Sequence, residues 1–141
     1  MLRVEACGLC GTDHELFTGQ IAAPCPVIPG HETVGTIESI GEVAALKWGV
    51  GVGDRVAVEC WQACGRCAQC LKGIYRRCDQ HGQTDLYGMI NIERQPALYG
   101  GYATHHYLSP DSLVLPVPDQ LTSVEATLFN PLGAGIKWGV E

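Results

Sequence analysis

Cys64-Gly-Arg-Cys67-Ala-Gln-Cys70, then a gap of seven residues, then Cys78: this stretch places four thiols within fifteen residues. A two-residue gap lets two thiolates converge on one ion while the backbone between them turns back. Four such sulfurs make the closed tetrahedral site that structural zinc occupies. Gly65 and Gly73 allow the tight turns this spacing needs. The rival is an iron–sulfur cluster, for which the bacterial pattern is C-x2-C-x2-C-x3-C-P. Here the last gap is seven and Asp79 follows the last cysteine, so the spacing favours zinc. Zinc stabilises the thiolates that bind it, and in small zinc modules this contributes on the order of 10 kcal/mol or more to folding. The stretch predicts a zinc-stapled lobe over residues 60–80. Such a lobe has no chemistry of its own and must serve something larger.

The 141 residues are the size of one domain, long enough to bury a core. Hydrophobic residues make up 46% and charged residues 17%, which excludes a disordered chain. Eighteen glycines and eight prolines imply many turns and few long helices, so the expected class is mostly β (α+β). A net charge of −6 without a basic stripe argues against nucleic acid as a partner. Arg76-Arg77, the only adjacent basic pair, reads as a solvated part of the lobe. No apolar run approaches the ~20 residues that span a bilayer. Met1-Leu-Arg-Val-Glu5 lacks the apolar region of an export signal. Eight cysteines without such a signal favour metal ligation over disulfides and a cytoplasmic setting.

Residues 1–6 read as the end of a strand that opens abruptly, and 122–141 as a helical segment cut short, so the chain is expected to be incomplete at both ends. Gly11 and Gly19 bracket two helical turns, with Leu16 and Phe17 expected inward. Pro24, Pro26 and Pro29 make 21–29 an extended loop. Residues 31–41 lean toward strand, with a kink at Gly35 and a turn at Gly41. Arg55-Val-Ala-Val-Glu59 alternates, placing Val56 and Val58 on one face. Residues 79–98 read as a surface loop, 102–109 and 113–117 as strands. Thr122-Ser-Val-Glu125 has the spacing of a capping box, so a helix should begin near Ser123 and break or restart at Pro131.

A second constellation comprises Cys10, Thr12, Asp13, His31 and Glu32. A thiolate and an imidazole leave a zinc ion unsaturated, which is how catalytic sites keep a position for water or substrate. Glu32 could add a third ligand or a supporting acceptor, and Asp13 is suited to fix the ring of His31. Thr12 offers a hydroxyl that can pass a proton. Taken alone, such residues are more often an ordinary turn histidine and a buried apolar cysteine.

Three motifs stand in one order: Cys7-Gly-Leu-Cys10-Gly-Thr-Asp13, Pro29-Gly-His31-Glu32, and the four-cysteine lobe. Gly51-Val-Gly53-Asp54-Arg55-Val56 and Gly100-Gly101-Tyr102-Ala103 fit the same pattern. Over nearly its whole length the chain resembles the zinc-dependent medium-chain alcohol dehydrogenases, which include alcohol, sorbitol and threonine dehydrogenases. The resemblance implies a GroES-like catalytic domain over residues 1–121, a partly open β-barrel with short helices. Residues 122–141 would lead toward an absent nucleotide-binding domain. It implies Cys10 and His31 as ligands of a catalytic zinc, Glu32 as a ligand or close neighbour, Thr12 as proton relay and Asp13 as support for His31. Cys64, Cys67, Cys70 and Cys78 would hold the structural zinc, while Cys7, Cys25 and Cys60 are left as structural thiols.

The pattern is departed from in three places. Glu15, beside His14, stands where some members end the relay with histidine. Asn130, in Phe129-Asn-Pro-Leu132, stands where the family carries a third ligand, and a neutral amide is a weaker one, which shifts that role toward Glu32 or water. The G-x-G-x-x-G turn that binds NAD or NADP is absent, since Gly133-Ala-Gly135 follows no strand. The implied activity is oxidation of a small alcohol or polyol, or reduction of the carbonyl, with NAD(P), in a homo-oligomeric enzyme. These residues alone are expected to bind zinc without turnover. The alternative is a non-catalytic zinc-binding module, needing only the four-cysteine site. A zinc-free reductase of the same superfamily is disfavoured by Cys10 and His31.

Overall fold

The computed structural model describes residues 1–23, 25–82 and 84–140. Pro24, placed above in the extended loop, lies outside them. The elements in order are β1 (Leu2–Cys7), α1 (Gly11–Thr18), β2 (Thr33–Ile37), α2 (Glu42–Trp48), β3 (Arg55–Val58), α3 (Ala68–Leu71), β4 (His105–His106), β5 (Val114–Pro116), α4 (Ser123–Ala126) and α5 (Phe129–Val140). The strands form one antiparallel sheet in the order β4-β1-β2-β3-β5. Among the described residues the two edge strands do not pair with each other, so the barrel is partly open. No helix among these residues is long and apolar enough to cross a membrane.

Strand alternation sorts the core onto two faces. Leu2, Ile37, Val56 and Val58 join Tyr87, Ile90, Tyr99 and Leu108 on one face. Val34 and Ala57 point the other way, against Ala126 with Phe129 and Val117. The expected alternation in 55–59 is therefore present, and both of its faces are covered. A register shift between Val4 and Ala6 marks a bulge in β1 at Glu5. The Glu5 carboxylate accepts from the Thr36 hydroxyl and, at 2.5 Å, from that of Ser123, tying α4 to the sheet.

Several expectations need correction. Phe17 is 90% exposed, and the buried residue of α1 is Asp13. Leu16 is only half-buried. The described residues of 79–98, which leave out Gln83, are irregular but not merely superficial, because they send Tyr87 and Ile90 into the core. Tyr87 donates to or accepts from the Ser112 hydroxyl at 2.5 Å and accepts the Ser109 N–H, which lets a loop tyrosine occupy the interior. The strand expected over 102–109 shrinks to His105–His106. Gly35 pairs regularly with Val56 of β3 but stands opposite Val4 at the edge of the β1 bulge, so the irregularity expected at Gly35 falls on the partner strand, and a Cβ there would sit 2.2 Å from the Arg3 carbonyl oxygen. α2 was not anticipated. The capped helix beginning at Ser123 is present, and α5 restarts around Pro131.

Candidate metal centres

Local turns assemble the lobe. Cys67 is the N-cap of α3, and its sulfur accepts the Cys70 N–H at 3.4 Å, so both thiols face one point across a single turn. A 3-10 turn over Tyr75–Arg77 delivers Cys78 to the same point. One sulfur from each of Cys64, Cys67, Cys70 and Cys78 lies within 4.8 Å of the others. The Cys64 and Cys70 sulfurs are 3.9 Å apart, too far for a disulfide. A tetrahedral ion with Zn–S bonds of about 2.3 Å requires sulfurs about 3.8 Å apart, so the donor set fits zinc. Burial works against the Cys78 thiolate, yet N–H groups of Cys64, Gln80 and His81 lower its pKa to about 6. Burial and the neighbouring sulfurs push Cys70 up to about 12. Crowded thiolates without a cation repel in this way, and a divalent cation relieves it.

The second cluster depends on strand pairing. β1 and β2 are antiparallel, with Cys7 opposite Thr33. The loop that leaves β1 therefore lies beside the turn that enters β2, and Gly8 N–H donates to the Glu32 carbonyl at 3.0 Å. Cys10 ends the first loop, and His31 and Glu32 end the second. Their sulfur, ring nitrogen and carboxylate oxygen lie within 4.8 Å of one another. Thiolate, imidazole and carboxylate are the donor types of open zinc sites.

The surrounding groups hold these donors. Asp13 is buried, and its Oδ2 accepts the Cys10 N–H at 2.9 Å. Its Oδ1 lies 3.8 Å from His31 Nδ1 and has no hydrogen bond among the described residues. Asn130, at the start of α5, donates its amide to Glu32 Oε1 at 2.9 Å. Tyr102 donates its hydroxyl to Asp13 Oδ2 at 2.9 Å and approaches the Gly8 carbonyl at 3.0 Å. Burial and the Asp13 carboxylate raise the Tyr102 pKa, so the hydroxyl keeps its proton. Thr12 lies half-buried on the first turn of α1.

Other candidates stand apart. Glu15 is half-buried and His14 exposed, and neither joins the three donors. Cys7 packs its sulfur 3.7 Å from the Thr33 hydroxyl, and burial raises its pKa. Cys60 is buried and its pKa is likewise raised, which makes it unreactive. The amide of Asn130 and the hydroxyl of Tyr102 were not assigned these contacts from sequence. Their partners lie 98 and 89 residues away, beyond the reach of any local spacing. A groove of about 650 Å³ runs between the lobe and α5, lined by Trp61, Tyr75, Phe129 and Trp138, and reaches Asn130.

Residues 1–119 match the alcohol dehydrogenase GroES-like domain. A protein of Mycobacterium tuberculosis named probable alcohol dehydrogenase is 60% identical over 140 residues, covering 99% of this chain and 38% of the relative. The sorbitol dehydrogenase of Bacillus subtilis is 33% identical, over 96% of this chain and 36% of its own. An alcohol dehydrogenase from Thermotoga maritima superposes with a TM-score of 0.73 at 28% identity, covering 90% of this chain and 36% of that one. A cobalt- and zinc-bound thermostable alcohol dehydrogenase from Pyrobaculum aerophilum gives a TM-score of 0.61 at 29% identity, over 91% and 35%. The chain thus spans little more than a third of the length of the relatives it matches. With an open antiparallel barrel, a four-thiol lobe and a family match over most of its residues, the chain belongs to the alcohol dehydrogenase GroES-like family.

Proposed function

We propose that this chain is the zinc-binding catalytic domain of a dehydrogenase acting on a small alcohol or polyol, or on the corresponding carbonyl. The domain is residues 1–121, and 122–141 lead toward a nucleotide-binding domain of a cytoplasmic, homo-oligomeric enzyme. The observation that carries this reading is the convergence of Cys10, His31 and Glu32, with Asn130 bonded to one Glu32 oxygen. Zinc held there supplies Lewis acidity to a substrate oxygen, and NAD or NADP supplies the hydride acceptor.

The chain's own residues do the rest. Cys10, His31 and Glu32 hold the ion and leave one position open. Asn130 fixes the Glu32 carboxylate, so a residue too weak to ligate itself orients the third ligand. Asp13 holds the Cys10 backbone and faces His31. Thr12 accepts the proton of the substrate hydroxyl and releases it toward Glu15 or solvent. Cys64, Cys67, Cys70 and Cys78 hold a second zinc that shapes the lobe.

Metal analysis tests this. Two zinc ions per chain are expected, with one retained in Cys10→Ser. One ion in the parent chain, unaffected by Cys10→Ser, would leave a non-catalytic zinc module as the correct description. Asn130→Ala is expected to weaken binding of the second ion about 10-fold while sparing the four-cysteine ion.

A further inference from the structure

Tyr102 touches both segments that carry the Cys10, His31 and Glu32 donors. Its backbone N–H donates to the Pro29 carbonyl at 3.0 Å, and the preceding Gly101 N–H donates to Gly30 at 2.8 Å. Those bonds fix the turn that enters His31. On the other side its hydroxyl meets Gly8, in the loop that delivers Cys10, and Asp13, in the first turn of α1, whose carboxylate holds the Cys10 N–H. The close approach depends on missing Cβ atoms. One at Gly30 would lie 2.8 Å from the Tyr102 ring, and one at Gly101 would lie 2.6 Å from the Cys7 sulfur.

We infer that Tyr102 is a positioning residue for the Cys10–His31–Glu32 centre, its hydroxyl clamping the ligand-bearing loop after β1 onto the ligand-bearing turn before β2. The reasoning follows the proton. A phenol has one hydrogen, and a carboxylate accepts it more strongly than a peptide carbonyl. With Oδ2 engaged by Tyr102 and by the Cys10 N–H, the carboxylate cannot rotate. Its other oxygen is then left facing His31. Without the hydroxyl, Asp13 keeps only the backbone bond, and the relative placement of thiolate and imidazole loosens. Because the ring and the backbone bonds survive in Tyr102→Phe, that substitution removes the clamp alone.

This inference rests on the proposed second metal site, and the experiment separates the two. The 141-residue chain is loaded with zinc in the four-cysteine lobe and cobalt in the other site, and cobalt affinity is read by chelator competition. The expected result for Tyr102→Phe is a loss of about 10-fold in affinity at the second site, the low end for groups behind the ligands, with a shifted cobalt ligand-field band. Zinc in the lobe should be unchanged, which also reports that the variant is folded. A parent chain that takes up no second ion removes the site itself. A parent that takes up cobalt, with identical affinity and spectrum in Tyr102→Phe, overturns the role of Tyr102 only.

Discussion

His106 is a polar ring in an apolar place. It is fully buried in β4, and the Tyr87 ring meets it edge-on at 4.5 Å between centroids. Neither ring nitrogen has a hydrogen bond among the described residues. Burial lowers its pKa to about 3, so the folded chain keeps it neutral. An unfolded chain takes up the proton near pH 6.5. The unfolded state therefore binds more protons as pH falls below about 6.5, and stability declines from there down to about 3. In His106→Phe this contribution disappears. Its melting temperature should fall less than the parent's between pH 6.5 and 4.5, and parallel curves would show that His106 does not titrate this way. Comparing the two proteins at each pH cancels the acid loss of metal common to both. Gly35 makes the opposite kind of demand. Its conformation is ordinary, but there is no room for a methyl group against the Arg3 carbonyl. Gly35→Ala should destabilise the chain by about 1–3 kcal/mol in urea unfolding, the range for overpacking.

α4 shows how four residues persist as a helix. Thr122 Oγ1 accepts the Glu125 N–H at 3.2 Å, and the Glu125 carboxylate accepts the Thr122 N–H at 2.9 Å. Glu5 then binds Ser123 from the sheet. Thr122→Ala should cost about 1 kcal/mol of stability, measurable by denaturant unfolding. That cap was legible because its signal lies within four residues, and β3 was legible because alternation is local. α2 was not, because only Trp48 of its large apolar residues packs against the core, while Val43 and Leu46 point away from it. Val43 is 82% and Leu46 85% exposed, so no buried stripe accompanies the weaker signals. Those signals were Gly41 and Gly49 at its ends, Glu42 in the first turn and Lys47 in the last. Phe17 misled in the converse way, as an aromatic side chain that points to solvent. In the candidate centre, the cysteine, histidine and carboxylates were readable by residue type. The contacts of Tyr102 and Asn130 were not, because only the packing of distant segments creates them.

At the scale of the molecule, the lobe joins the barrel through hydrogen bonds at Gln62 and Ala63, and a charged cluster follows just beyond Cys78. His81 lies between Asp85 at 2.8 Å and Asp111 at 3.0 Å, one carboxylate on each ring nitrogen. Burial alone would lower its pKa, but the two aspartates outweigh burial and raise it. Lys47 of α2 and Arg94 pair with the same two aspartates. The lobe's interior, by contrast, is four sulfurs. Removing zinc should therefore loosen the lobe while leaving the sheet intact. After chelation, trypsin is expected to cut first at the exposed Arg66, Lys72, Arg76 and Arg77, with far-UV circular dichroism little changed. Uniform digestion of the whole chain would mean that the lobe and barrel unfold together.

The difference in span between the two clusters has a consequence for the order of synthesis. Every sulfur of the lobe has left the ribosome once Cys78 has, whereas the Glu32 carboxylate must wait for Asn130. Domains acquire structure while the chain is being made, and short loops close at less entropic cost than long ones. A refolding chain given one equivalent of zinc should fill the four-cysteine lobe before the second centre, which cobalt added afterwards would then reveal. In a zinc-poor cell, newborn chains would have the four-cysteine lobe stapled well before the candidate second centre was filled.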